Sequence, residues 1–387
     1  MFLDTVLARN PALVDAAAAL HRSGAVPPDT YVLDLDTVEE NARLLAAGAG
    51  RLGLALWCVT KQFGRNPALI RAVARHLPDF AAIDAREAEA VHAAGGRCAH
   101  LGHLVQVPRR QLPALLARRP DAVTVFDADN ARHVSAAAVA LGRVQDVLVR
   151  IEPAAGTGYP GQEGGVPPER LEEFAALVER LPGVRIAGVT AFPCVTCDDA
   201  TGTPAATANL ARAAGARAAL RARGHGPLLL SAPGATSLAV LPLLAAHGAT
   251  HGEPGHALTG TTPLHATGPP QPERPASVYV TEVAHTLADG RPALHGGGFY
   301  PRAGVRRALL ARTGTLLAVE RAPAQYIDYY RLLAAPPART RVRAGDTAVL
   351  AFRTQVFVTR SRVAVVSGVA AGAPRLLGLY DALGRGV

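Results

Sequence analysis

Short apolar runs recur along the first two thirds of the chain, separated by Ala-, Leu- and Arg-rich stretches whose apolar positions repeat at helical spacing. Leu54–Lys61, Phe80–Ile83, Arg97–Leu101, Ala122–Val125, Asp146–Ile151, Arg185–Val189, Pro227–Leu230 and Ala249–Gly252 read as strands. Eight strands with helices between them predict a (β/α)8 barrel. The helix boundaries carry capping chemistry. Asn66-Pro67 offers a cap and a first-turn proline, Asp84-Ala-Arg-Glu87 is a capping box, and Gly95-Gly96 and Gly142 stand where helices end. A further strand, Tyr31–Leu35, enters a helix through Asp36-Thr-Val-Glu39 and falls outside the eight.

The pattern changes after Thr262. A proline-rich stretch from Pro263 to Pro275 is followed by runs without long helices: Ser277–Val283, Ala308–Ala311, Thr315–Val319, Thr347–Phe352 and Val363–Val366. The expected fold is α/β, a (β/α)8 TIM barrel with a second, smaller C-terminal β domain. An N-terminal helical segment spans 1–28, the barrel 29–262 and the β domain 263–387, with Tyr31–Leu35 a candidate to join that last domain.

With 49% hydrophobic and 18% charged residues the chain has the composition of a folded globular protein. A net charge of +9 would suit nucleic acid. The arginines are scattered along helical stretches, however, and 5% aromatic residues leave little surface for stacking bases, so nucleic acid is not an expected partner. No run of about 18 apolar residues is free of charge or proline, so no membrane span is expected. The start, Met1-Phe-Leu-Asp4, lacks the features of a secretion signal. With four cysteines, Cys58, Cys98, Cys194 and Cys197, a reducing cytoplasm is the expected location.

Lys61 is the one lysine among 40 lysines and arginines. A guanidinium stays protonated and forms no Schiff base, so a primary amine, if the chain needs one, has to be this side chain. It ends the first predicted barrel strand, on the face where barrel enzymes carry their chemistry. Burial there pulls a lysine down from ~10.4 and frees its amine to condense with an aldehyde. The competing readings are a surface lysine snorkelling at a strand exit, or a chance survivor in an arginine-rich composition. Cys194-Val-Thr-Cys197 offers two thiolates and no second pair, so no metal is expected there. Its place after the sixth strand makes it a candidate lining of a substrate pocket.

Several strings carry a resemblance. Asp34-Leu-Asp36, Asn41 and Val59-Thr-Lys61-Gln-Phe-Gly64 resemble the entry to the fold-type III pyridoxal-phosphate enzymes, the alanine racemase and ornithine decarboxylase group. Thr60–Pro67, His100–Gln106, Tyr159–Glu163, Glu253–Gly260 and Phe352–Ser361 are similar to its YhfX-like branch, described as amino-acid racemases, and the likeness spans the chain. It implies that Lys61 forms the internal aldimine. A cofactor phosphate needs backbone N–H groups and hydroxyls at a helix N-terminus, which Ser231-Ala-Pro-Gly-Ala-Thr-Ser237 supplies, with Ser231, Gly234, Ala235, Thr236 and Ser237 as candidates. The plain alternative is a Ser/Gly turn with a capped helix.

The resemblance further places Glu253 against the pyridine nitrogen, where a carboxylate keeps the ring a strong electron sink and lets a quinonoid persist. The alternative is an ion pair with a nearby arginine. Gln162 and Glu163 match a region that contacts the phenolic oxygen, and Tyr380 matches a C-terminal tyrosine that reaches the phosphate. Two positions depart from the racemase pattern. Ala191 stands where relatives stack a histidine on the ring, leaving His103 as a candidate. His295 stands where racemases present a catalytic tyrosine from the partner subunit, so His295, or Tyr300 if the match slips, is the candidate second proton-transfer group.

These residues imply a racemase or epimerase acting at the α-carbon of an amino acid, working as a head-to-tail homodimer. A decarboxylase, an aldolase or eliminase of the same fold, and a non-catalytic cofactor carrier are the alternatives.

Overall fold

The computed structural model describes residues 2–198, 200–299, 304–323 and 325–387. The chain divides into two compact units: Ala42–Thr60 with Val73–Ala257, and Met1–Asn41 with Lys61–Ala72 and Leu258–Val387.

In chain order the strands are β1 (Thr30–Asp34), β2 (Ala55–Leu56), β3 (Asp79–Ala82), β4 (Arg97–Leu101), β5 (Ala122–Val125), β6 (Gln145–Arg150) and β7 (Val184–Thr190), then a hairpin of β8 (Val195–Cys197) and β9 (Pro204–Ala206), then β10 (Leu229–Ser231) and β11 (His251–Gly252). The first unit is a nearly closed parallel barrel in the order β2-β11-β10-β7-β6-β5-β4-β3. A parallel bridge between Cys58 and Phe80 joins the two ends.

All eight predicted runs take their places. Leu54–Lys61 and Ala249–Gly252 are longer as predicted runs than as strands: the second is ladder at His251–Gly252, and the first at Ala55–Leu56 with backbone bonds continuing at Trp57, Cys58 and Val59 before a 3-10 turn, Lys61–Phe63, begins at the lysine. The hairpin β8–β9 was not foreseen. Trp57, Val59, Ala81, Ile83, Ala99, Ala122 and Leu148 fill one core cluster, the alternating inward residues that close a barrel. At Gly188 a Cβ would lie 2.5 Å from the Leu229 carbonyl, so only glycine lets β7 and β10 pair there.

Helix entries follow the capping reading. Asn66 Oδ1 accepts the N–H groups of Ala68 and Leu69 at 3.0 and 3.3 Å, and Asp84 Oδ1 accepts that of Glu87 at 2.7 Å. The Glu87 carboxylate, expected to complete a capping box, also reaches the N–H of Ile83 and both the N–H and hydroxyl of Thr60.

The second unit carries β12 (Ser277–Thr286), β13 (Pro292–His295), β14 (Arg307–Leu310), β15 (Thr315–Ala318), β16 (Tyr330–Leu332), β17 (Thr347–Leu350), β18 (Arg362–Ser367) and β19 (Arg375–Asp381). Their sheet runs β15-β14-β17-β12-β1-β18-β19, with β13 on β12 and β16 on β13. The early strand β1 therefore joins this sheet, antiparallel to β12 and parallel to β18. Helices Phe2–Arg9 and Pro11–Arg22 lay Leu3, Val6, Leu13, Val14, Ala17 and Ala18 against one face of it. The proline-rich stretch is tied down as well: Thr5, Arg9 and Asn10 donate to the carbonyls of His265, Glu273 and Pro275. Among the described residues no helix is long and apolar enough to cross a membrane.

Candidate active site

Glu253 directly follows the last barrel strand, and its side chain is fully withdrawn from solvent. A lone carboxylate there would be strongly disfavoured. Three side chains from two other strands meet it. Ser231, ending β10, donates its hydroxyl to Oε1 at 2.8 Å. His100 on β4 brings Nδ1 to Oε1 at 3.2 Å, and His103, just past β4, brings Nδ1 to Oε2 at 2.6 Å. His100 is held from its other side, with Nε2 2.6 Å from the Thr124 hydroxyl on β5. Its ring packs on Trp57 at 4.7 Å between centroids, and Trp57 in turn lies 4.1 Å from His251.

Burial alone pushes the Glu253 carboxyl up. The charge of His103, with hydrogen bonds from His100 and His103, outweighs that and holds it well below the usual carboxylate range. The group is a fixed negative charge at the C-terminal end of the barrel. Burial also depresses the His251 imidazole, to about 4, with His100 adding to the effect.

The loop after β10 is bound to the same carboxylate. The Glu253 N–H donates to the Thr236 hydroxyl at 3.1 Å, so Ser231 and Thr236, at opposite ends of the loop, both hold Glu253. Gly234 and Ala235 have φ of +134° and +48°, so the loop turns sharply through two positive-φ residues. A Cβ on Gly234 would lie 2.6 Å from the Val195 carbonyl, so the position requires glycine twice over. Among the described residues Ser237 Oγ, which is buried, meets no hydrogen-bond partner, and neither does Thr190 Oγ1 at the end of β7.

Arg150, at the end of β6, is fully buried. It donates to the carbonyls of Gly164 at 3.0 Å, Gln162 at 2.8 Å and His103 at 3.4 Å, and its guanidinium lies 4.8 Å from the centre of the Phe126 ring. Burial lowers it to about 10 against the pull of Cys194 and Glu253. It thereby fixes the loop that carries Gln162, whose buried amide oxygen meets no partner among the described residues. The neighbouring Glu163 is exposed and accepts the Gly161 N–H at 3.0 Å.

His103, Ser231, Gly234, Ala235, Thr236, Ser237, Gln162 and Glu253 all belong to the barrel unit. Lys61, His295 and Tyr380 belong to the other. Lys61 is half-buried at the start of its 3-10 turn. His295 ends β13 with 42% of its side chain exposed, 4.0 Å from Glu282 and 5.9 Å between ring centroids from Tyr330. Tyr380 sits opposite Val363 in β19. Tyr300 lies outside the described residues. Cys194 is buried and donates to the Ala191 carbonyl at 3.1 Å, and burial pushes its thiol up to about 12, which makes it a packing residue rather than a thiolate.

Sequence reading missed His100 and Arg150. Both had a signal: a histidine three residues before His103 at a strand exit, and a cation ending the apolar run Val147-Leu-Val-Arg150. Among the described residues, His100, His103 and Glu253 are also the one group of potential metal ligands that converges, with donor atoms within 4.8 Å of one another.

Residues 33–263 match the alanine racemase N-terminal domain, and residues 278–376 match the YhfX-like C-terminal domain. The protein YhfX of Escherichia coli is 41% identical over 386 residues, covering 100% of this chain and 99% of that one. Two solved structures share the fold. D-threonine aldolase from Filomicrobium marinum superposes with a TM-score of 0.65 at 21% identity, covering 92% of this chain and 95% of its own. D-threo-3-hydroxyaspartate dehydratase from a Delftia species does so with 0.66 at 18% identity, covering 90% and 96%. The chain belongs to the alanine racemase family, in the branch that joins the alanine racemase N-terminal domain to a YhfX-like C-terminal domain.

Proposed function

We propose that this protein binds pyridoxal 5'-phosphate through Lys61 and racemises or epimerises an amino acid at its α-carbon. The observation that carries the reading is the ionised, buried Glu253 between two histidines and a serine. A carboxylate kept ionised in a dry site by its neighbours suits a protonated pyridine nitrogen.

The residues present fit the cofactor. Glu253 suits the ring nitrogen. The loop Gly234–Ser237 offers backbone N–H groups in a left-handed turn and the buried, unpartnered Ser237 hydroxyl to the phosphate. Gln162 has a buried amide oxygen still to satisfy. When bound, the cofactor supplies an aldehyde for an amine and a ring that withdraws electrons from the α-carbon.

The protein's own groups do the rest. Glu253 holds a proton at the pyridine nitrogen, and His100 and His103 keep that carboxylate ionised and aimed. Ser231 and Thr236 keep the phosphate loop in register with it. The Lys61 amine takes the α-proton, and His295 or Tyr300, in the role implied by the family likeness, returns one to the opposite face. Tyr380 is a further candidate for the phosphate. The family likeness also supports a head-to-tail homodimer in the cytoplasm.

A second reading is favoured by the neighbours, an aldolase and a dehydratase. It keeps Glu253 and Lys61 but breaks a bond at the β-carbon. Incubation of D- and L-amino acids in deuterium oxide separates the two. Deuterium entering the α-position with interconversion of enantiomers supports racemisation, whereas release of aldehyde, ammonia or carbon dioxide overturns it.

A further inference from the structure

Glu87 is a fully buried carboxylate with no part in the proposed function. Its Oε1 accepts the N–H of Thr60 at 3.1 Å and also the Thr60 hydroxyl, and its Oε2 accepts the N–H of Ile83 at 2.7 Å. The residue is itself fixed from behind, because Asp84 caps the helix Ala85–Ala93 by accepting the Glu87 N–H at 2.7 Å. Carboxylates are almost never fully buried unless their lone pairs are met. Here both oxygens are used, and they join the ends of the first two barrel strands at one point.

The placement is specific. Thr60 is the last residue of the barrel unit in this part of the chain, and the next residue is Lys61. Thr60 spends its backbone N–H and its hydroxyl on the same oxygen, which leaves it one orientation. A plain strut between strand ends would need one acceptor and no charge. A three-donor clamp that needs both oxygens cannot be reproduced by glutamine, which has one acceptor oxygen.

We propose that Glu87 is a positioning residue for Lys61: through Thr60 it fixes the backbone from which the only lysine of the chain presents its amine. This rests on the reading that Lys61 carries the cofactor. Two consequences follow from the chemistry. Weakening the clamp loosens the presentation of the amine, and a looser backbone at Thr60 changes the burial, and with it the proton affinity, of the adjacent lysine.

The test uses the full-length protein, wild type beside Glu87→Gln and Thr60→Val. The valine variant keeps the Thr60 N–H bond and removes only the hydroxyl. Because Lys61 is the single lysine, its reductive methylation at a series of pH values, read by mass spectrometry of the Lys61 peptide, reports its own titration without interference from other side chains. In parallel, protein loaded with pyridoxal phosphate is reduced with borohydride, and the fixed cofactor per chain is counted.

We expect Glu87→Gln to shift the methylation midpoint by about half a pH unit or more and to lower the fixed cofactor at least tenfold at limiting concentration. Thr60→Val should change both in the same direction by a smaller factor. If both variants melt as wild type does and match it in midpoint and fixed cofactor, the inference is overturned. If the melting temperature falls while both readouts stay put, Glu87 is a structural strut and the inference is again overturned. Should Glu87→Gln fail to fold, Thr60→Val decides. A wild-type protein that fixes no cofactor at Lys61 overturns the proposed function and this inference with it.

Discussion

Glu253 in the barrel unit is a buried carboxylate and Asp29 in the other unit a partly buried one, and their partners differ in kind. Glu253 faces two imidazoles and a hydroxyl and is held ionised, well below the usual range. Asp29 faces the hydroxyls of Tyr279, at 2.7 Å, and Ser361, and burial pushes it up to about 6. The first is furnished to keep a negative charge in a dry place and so to meet a cation. The second is a hydrogen-bond hub. Around it and Asp328 winds the segment Gly296-Gly-Gly-Phe299, with Asp328 Oδ2 accepting the N–H groups of Gly297 and Phe299 at 2.8 and 2.9 Å. Burial is common to both. The company each carboxylate keeps separates a site that waits for charge from a scaffold that shapes a loop.

The comparison breaks most visibly at Glu253 itself. Glu253→Ala strands Ser231 and two histidines, and should cost about 3–5 kcal/mol of stability in a urea titration and at least ~100-fold in turnover. An unchanged midpoint would mean the carboxylate is not the keystone of the barrel site.

Next comes Gly297→Ala in the other unit. Gly297 has φ of +131° and a Cβ there would overlap the Asp29 carboxylate, so about 1–3 kcal/mol should be lost. Retention of the barrel's far-ultraviolet dichroism would separate this from a general collapse.

Acidity sharpens the contrast, because the two groups act with opposite sign. Glu253 has a folded value below its unfolded one, so its contribution is present above ~4.3 and lost as pH falls below it. Asp29 has a folded value of about 6, above ~3.9 unfolded, so its contribution is present below ~3.9 and lost as pH rises to 6. Melting curves against pH should flatten on the acid side for Glu253→Gln and between pH 4 and 6 for Asp29→Asn, the latter by on the order of 1 kcal/mol. The reverse assignment of slopes would contradict the contrast.

The smallest effect is expected at Thr190, whose buried hydroxyl has no partner among the described residues. Thr190→Val should change stability by less than about 0.5 kcal/mol, since no hydrogen bond is lost. A loss of cofactor retention with unchanged melting would make Thr190 a ligand contact.

Much of the fold was legible. Most barrel runs announced themselves by a concentrated apolar stretch, because strands covered on both sides have no polar face to confuse the pattern; Ala249-Thr-His-Gly252 is the weak one. The elements missed are those without that signal. Pro292–His295 opens on a proline, Tyr330–Leu332 is short and half-exposed, and Arg375–Asp381 has a glycine at its centre. The site was legible only in part. Lys61 stood out as the lone lysine, and Glu253 through its neighbouring motif. The joining of His100, His103, Ser231 and Glu253 could not be read, because it depends on β4 facing β10 and β11, more than a hundred residues further along the chain, across the interior of a closed sheet. The reach of Glu87 to Thr60 was hidden for a similar reason, since in sequence it looked like an ordinary helix cap.

The most direct test of the central claim is to load the protein with pyridoxal phosphate, reduce with borohydride and locate the added mass by peptide mapping. A single adduct on Lys61, with loss of the cofactor's absorption band in Lys61→Ala, is the predicted result. A protein that retains the cofactor equally well without Lys61, or carries the adduct only at its N-terminal amine, would contradict it.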